Sequence, residues 1–134
     1  MRARFYVFVA GLGLLATAAP IMAHHSFTAE YDASKPVTLT GAVTKVEWMN
    51  PHARFYIDVK DDSGTVTNWE LELGSPNALM RLGWTRNSLK PGEMVTVEGS
   101  LAKDGSKLAN ARKVTLADGR KVFAGSAADN DTKQ

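Results

Sequence analysis

The feature that most constrains the fold is a series of five short segments in which apolar and polar residues alternate. Such alternation predicts β-strands with one buried face, because a buried helix face repeats every 3.6 residues instead. The predicted strands are Val37–Trp48, Arg54–Lys60, Val66–Leu73, the part of Lys90–Leu101 that carries Val95 and Val97, and Leu108–Leu116. The first strand changes phase after Gly41, which predicts a bulge and strong coiling.

One helix is predicted between the third and fourth strands. Ser75 suits an N-cap, Pro76 suits the first helical position, and Gly83 suits the end. Three strands, a helix and two further strands is the order of a five-stranded OB-like Greek-key barrel. The fold class predicted is therefore mainly β, with one short helix between strands 3 and 4. A small β-sandwich is the competing architecture, but it gives the helix no obvious place.

The chain opens with the pattern of a secretory signal peptide. Arg2 and Arg4 precede an apolar stretch from Phe5 to Ala19, and Pro20 and Ala23 close it. We predict cleavage after Ala23 and a periplasmic protein without stable membrane insertion afterwards. Cleavage after Ala18 and an uncleaved anchor are the alternatives. The predicted organisation is a signal peptide (residues 1–23), an extended leader (24–36), a barrel domain (37–123, with a short sixth strand at its end) and a disordered tail (124–134).

Charge and cysteine content exclude several classes of function. The chain has 16 Lys and Arg against 14 Asp and Glu, and Arg2 and Arg4 leave with the leader, so the mature chain is neutral. A neutral surface lacks the basic groove that nucleic acids require. The absence of cysteine excludes disulfides, thiolate metal sites and cysteine nucleophiles. We therefore predict no nucleic-acid partner, and the oligomeric state stays undetermined.

The chain contains three histidines, His24, His25 and His52, and two of them stand directly after the predicted cleavage point. A histidine at a free N-terminus can chelate one metal ion through its amino group and a ring nitrogen. Nitrogen ligands without thiolate suit Cu(II), and the affinity order favours copper over zinc, nickel and cobalt. We predict a metal site formed by His24, His25 and His52, with copper as the possible cofactor.

Other interpretations stay open beside the copper site. His52 can equally be a half-buried ring that is hydrogen-bonded to backbone, and the histidines can be incidental to an OB-type adaptor for an envelope protein or a glycan. No catalytic residue is predicted, because a chelate alone does not specify a reaction, and an oxidative copper enzyme is kept only as an alternative. Glu70 and Glu72 share one strand face, and we interpret them as the solvated side of the sheet.

Two short motifs carry a resemblance to a known family. His24, His25 and Ser26 form "HHS", and Asn50, Pro51 and His52 form "NPH" within "WMNPHARFYID". With these motifs the chain resembles a family of small exported bacterial proteins called domain of unknown function 6152. The resemblance supports the barrel and points to the histidines. It implies no activity.

Overall fold

The computed structural model of the protein describes residues 27–125. Residues 27–30 are helical and run directly into the first strand. The strands and the one further helix are β1 (Tyr31–Glu47), β2 (Arg54–Lys60), β3 (Val66–Glu72), α1 (Pro76–Arg81), β4 (Met94–Ala102), β5 (Leu108–Thr115) and β6 (Lys121–Phe123). The predicted signal peptide, His24, His25 and all of the predicted tail except residues 124 and 125 lie outside the described residues.

The strands form one sheet in the order β3-β2-β1-β4-β5-β6. An additional parallel pairing joins β3 to β5, where Glu70, Leu71 and Glu72 lie opposite Leu108, Ala109 and Asn110. This pairing closes strands β1 to β5 into a ring, while all the other strand pairs are antiparallel. The predicted OB-like barrel is confirmed, with α1 between β3 and β4.

The first strand is longer than the sequence pattern indicated. It begins at Tyr31 instead of Val37, so residues 31–36, which were assigned to an extended leader, lie within β1. The pairing with β4 starts with Tyr31 opposite Ala102. The register then shifts, and the pairing continues with Pro36 opposite Ser100. Residues 32–35 show no alternation of apolar and polar side chains, because these side chains are largely exposed, and the sequence pattern therefore does not indicate this part of the strand.

The predicted bulge in β1 is present. The register with β2 shifts between Val43 and Lys45, two residues after Gly41. Gly41 has no positive φ, so its role is steric: a Cβ at this position would overlap the backbone carbonyl of Asp58 on β2. Gly41 therefore lets β1 and β2 approach closely where the strand coils.

Helix α1 begins and ends as the sequence predicts. The Ser75 hydroxyl accepts a hydrogen bond from the Ala78 amide at 3.2 Å, and Pro76 stands in the first turn. Leu79 is fully buried in the barrel core, and Gly83, with φ of 92°, takes the chain out of the helix. No helix among residues 27–125 is long and apolar enough to cross a membrane.

The apolar residues form two clusters of unequal size. The larger fills the barrel and includes Phe55, Ile57 and Leu71, all without exposed surface. The smaller contains Phe27, Tyr31 and Ala102, with Leu108 packed against it. Residues 27–31 are thus held against β4 and β5 by a small core of their own.

Candidate functional site

A cleft of about 190 Å³ lies beside the smaller cluster. It is formed by the segment that enters β1, by the start of β2, and by the paired residues of β3 and β5. Its walls are contributed by Phe27, Glu30, Tyr31, His52, Arg54, Glu72 and Asn110.

His52 lines this cleft with a defined tautomer. Its Nδ1 lies 3.1 Å from the Leu73 carbonyl oxygen and 3.9 Å from Glu72 Oε1. A carbonyl oxygen only accepts hydrogen bonds, so Nδ1 carries the proton and donates it. In the neutral ring, Nε2 then holds a free lone pair, and the side chain is 37% exposed. Metal-binding histidines commonly have this arrangement, in which a backbone carbonyl orients the ring through its other nitrogen.

Glu72 forms the buried acidic part of the cleft. The residue is only 7% exposed, and its Oε2 accepts a hydrogen bond from the Tyr31 hydroxyl at 2.9 Å and one from Arg54 Nη2 at 3.4 Å. The interpretation of this residue as part of a solvated face is therefore wrong. Glu72 points to the outer side of β3, as predicted, but Tyr31 covers that side and β5 pairs with it.

Tyr31 is a permanent donor to this carboxylate. Burial of the ring and the nearby charge of Glu72 raise the pKa of Tyr31 far above its usual value. The hydroxyl thus keeps its proton at any physiological pH, and the hydrogen bond to Glu72 persists.

Arg54 joins two glutamates across the strand pair. Its Nη1 donates to Glu70 Oε1 at 2.5 Å, while Nη2 reaches Glu72. The Tyr56 hydroxyl lies 3.4 Å from the same oxygen of Glu70. One guanidinium therefore faces two carboxylates, of which Glu72 lines the cleft, and Glu30 is the second carboxyl group in the cleft wall. The site carries an excess of negative charge.

Glu30 gives a testable pH dependence. Glu30 is exposed as a residue, but partial desolvation in the cleft raises the pKa of its carboxyl group, with a further contribution from the charge of Glu72. The folded protein thus binds this proton more tightly than the unfolded chain does. Ionisation of Glu30 therefore lowers the stability as the pH rises above the pKa of Glu30 in the unfolded chain, and the full loss is reached above its pKa in the folded protein. We expect Glu30→Gln to melt at a higher temperature than the wild type at neutral pH. The difference should shrink as the pH falls and vanish by about pH 3, more than one unit below the ordinary glutamate pKa of ~4.3, where Glu30 is neutral in both the folded and the unfolded chain.

Thermal unfolding followed by circular dichroism at both pH values measures this effect. An equal melting temperature at neutral pH, or a difference that persists in acid, would contradict it. Asp62→Asn is the control, because Asp62 is an exposed turn residue outside the cleft.

The structure describes one of the three predicted metal ligands. His52 lines the cleft, whereas His24 and His25 lie outside the described residues. Among residues 27–125, no group of three histidine, cysteine, aspartate or glutamate side chains is arranged to hold a metal ion. The described part of the chain thus offers His52 as a single oriented ligand. The hydrogen bond between its ring and the Leu73 carbonyl also matches the alternative interpretation of His52, a half-buried ring that is hydrogen-bonded to backbone.

Sequence reasoning missed Tyr31, Arg54 and Asn110 as residues of the site. The only available signal was the cross-strand position of Arg54, which lies opposite Glu72 in the β2–β3 register. Opposite charges in such a pair commonly interact. Tyr31 and Asn110 come from distant parts of the chain, and nothing in the local patterns connects them.

Comparison with known proteins places the chain in a family. The model of a family described as "Family of unknown function (DUF6152)" matches residues 11–111, which is most of the chain. The chain belongs to this family. No curated protein matches the chain. Among solved structures, the mitochondrial single-stranded DNA binding protein Rim1 from S. cerevisiae is similar, with 12% sequence identity and a TM-score of 0.48. That match covers 61% of this chain and 92% of the other chain.

Proposed function

We propose that this member of the DUF6152 family is a small exported binding protein that holds copper through His24, His25 and His52. The observation that carries the proposal is the orientation of His52. Its Nδ1–H donates to the Leu73 carbonyl, so the Nε2 lone pair of the neutral ring is left for a metal ion, and His52 lines the cleft. The proposed role is binding without catalysis.

Chain connectivity supports participation of the two other histidines. Phe27 lines the same cleft as His52. His25 and His24 precede Phe27 by two and three residues, so their Cα atoms lie within about 7 and 11 Å of the Phe27 Cα. Both histidines are therefore tethered close to a residue of the cleft, which supports their proposed role as further ligands.

The charge of the cleft supports a cationic ligand. Glu72 and Glu30 place negative charge near His52 and so favour a divalent metal ion over an anion. Nitrogen ligands favour copper among the common divalent ions. If the signal peptidase cuts after Ala23, the α-amino group of His24 supplies a further nitrogen ligand.

The test is a Cu(II) titration of protein that carries its native mature N-terminus, with intact mass to establish that terminus. We expect one equivalent to bind at least tenfold more tightly, ~1.4 kcal/mol, than to a form with one extra N-terminal residue. The extra residue displaces the amino group from its chelate. His52→Ala should weaken binding by a similar factor if His52 closes the site, and His25→Ala should do so if the two adjacent histidines act together.

Asn50→Ala is the control for His52→Ala, because it changes an exposed side chain of the same loop and keeps the imidazole. Copper affinity that is the same in the native form, the extended form and the His52 variant would rule the proposal out. The adaptor for an envelope protein or a glycan would then be the leading hypothesis.

A further inference from the structure

We propose that the cleft also binds a primary alkylammonium ion, with Glu72, Glu30 and Asn110 as the groups that recognise the ammonium. This proposal is independent of copper, because it uses carboxylate and amide oxygens and needs none of the histidines as a ligand.

Asn110 is the first observation that indicates a ligand. The residue is only 4% exposed, and it lines the cleft from β5. Within residues 27–125, its side-chain amide has no hydrogen-bond partner, although the backbone of β5 is fully paired with β3 and β4 here. Buried amides are normally hydrogen-bonded, so an unpaired amide that faces a cavity indicates that something polar meets it there.

Glu72 adds a free acceptor at the same place. Both of its hydrogen bonds, from Tyr31 and Arg54, go to Oε2. The other oxygen, Oε1, accepts no hydrogen bond from the described residues, and the His52 Nδ1 lies 3.9 Å away, beyond bonding distance. Glu72 and Asn110 lie opposite each other in the β3–β5 pairing, so their free groups belong to one wall of the cleft.

The balance of charge selects a cation. Arg54 is the one cationic side chain that lines the cleft, and Glu70 and Glu72 already face it. Glu30 therefore adds a carboxylate for which the lining has no second positive group. An anion would be repelled, whereas an ammonium group presents three donors and no acceptor, which matches free carboxylate and amide oxygens.

The remaining wall and the volume define the rest of the ligand. The rings of Phe27 and Tyr31 stand 5.5 Å apart with an interplanar angle of 32°, and both line the cleft. Aromatic faces accept alkyl groups and attract cations. The volume of about 190 Å³ is well above the ~10–15 Å³ that a cavity needs to hold one water molecule. An ammonium group on a chain of a few carbons fits this space.

The experiment is an NMR titration of the metal-free mature protein, kept in EDTA, with n-butylammonium chloride. We expect saturable shifts of the backbone amides of Tyr31, Glu72 and Asn110. Uncharged n-butanol should bind at least tenfold more weakly. Equal responses to the two compounds, or shifts that do not localise to the cleft, would overturn the proposal.

Variants test the assignment of the groups. Glu72→Gln should weaken n-butylammonium binding at least tenfold, while Asp62→Asn, in an exposed turn, should leave it unchanged. Glu30→Gln changes an exposed side chain and should weaken binding at least threefold, so it decides the question if the Glu72 variant does not fold. Unchanged affinity in a folded Glu72→Gln variant, or in Glu30→Gln when the Glu72 variant is unfolded, would overturn the proposal. The copper titration is separate, so a protein that binds n-butylammonium but not copper would contradict only the metal proposal.

Discussion

Replacing Tyr31 by alanine is expected to lower the free energy of unfolding by about 3–5 kcal/mol, the usual range for truncation of a fully buried aromatic ring. Tyr31 is 2% exposed and packs against Phe27 and Ala102 in the smaller core. Its loss removes the cover of Glu72, takes away one of the two hydrogen bonds to that carboxylate, and leaves a cavity. Urea unfolding of the mature protein measures the change.

Tyr31→Phe separates the two contributions. This variant keeps the ring and removes only the hydroxyl that donates to Glu72 Oε2. We expect a loss of about 1.5–3 kcal/mol, the range for a hydrogen bond to a charged group. If Tyr31→Phe were as destabilising as Tyr31→Ala, packing would be unimportant here. If both were silent, residues 27–31 would not be held against the barrel.

Gly41→Val is expected to destabilise the barrel by about 3 kcal/mol, because a side chain at this position forces two strands apart. A Cβ on Gly41 would overlap the Asp58 carbonyl oxygen and lie 2.8 Å from its carbon. The obstacle is backbone, so rotation of a side chain cannot relieve it. A lower urea midpoint with an unchanged denaturant slope would show the expected loss.

Thr38→Val is the matched control for Gly41→Val. Thr38 is an exposed residue of the same strand, and valine has nearly the same shape. It should change stability by less than about 0.5 kcal/mol. A Gly41→Val variant as stable as this control would contradict the close approach of β1 and β2, and with it the bulge that coils the first strand.

The position of the cleft follows from how this chain closes its barrel. His52 stands in the loop between β1 and β2, a region that OB barrels often use for ligands. The segment 27–31 crosses beside this loop and brings Phe27, Glu30 and Tyr31 to it. The helical residues before β1 therefore add a wall to an open acidic cleft at one end of the barrel.

The sequence by itself determined the elements and their order. Alternation of apolar residues located β2 to β5 to within a few residues, and Ser75 and Pro76 marked the start of α1. The phase change after Gly41 predicted the bulge in β1. These features leave a local mark, because the period of a strand, its change of phase and the cap of a helix are visible among near neighbours in the chain. What makes glycine necessary at position 41, the Asp58 carbonyl on β2, was visible only in the structure.

The tertiary structure alone decided what covers each strand face. A period of two shows that Glu70 and Glu72 share a side of β3, but it does not show that Tyr31 and the β5 pairing bury one of them. Burial depends on residues about 40 positions away, which meet only when the parallel β3–β5 contact closes the ring. The tautomer of His52 is decided in the same way, because the Leu73 carbonyl that accepts the Nδ1 proton belongs to the residue directly after β3, 21 positions along the chain.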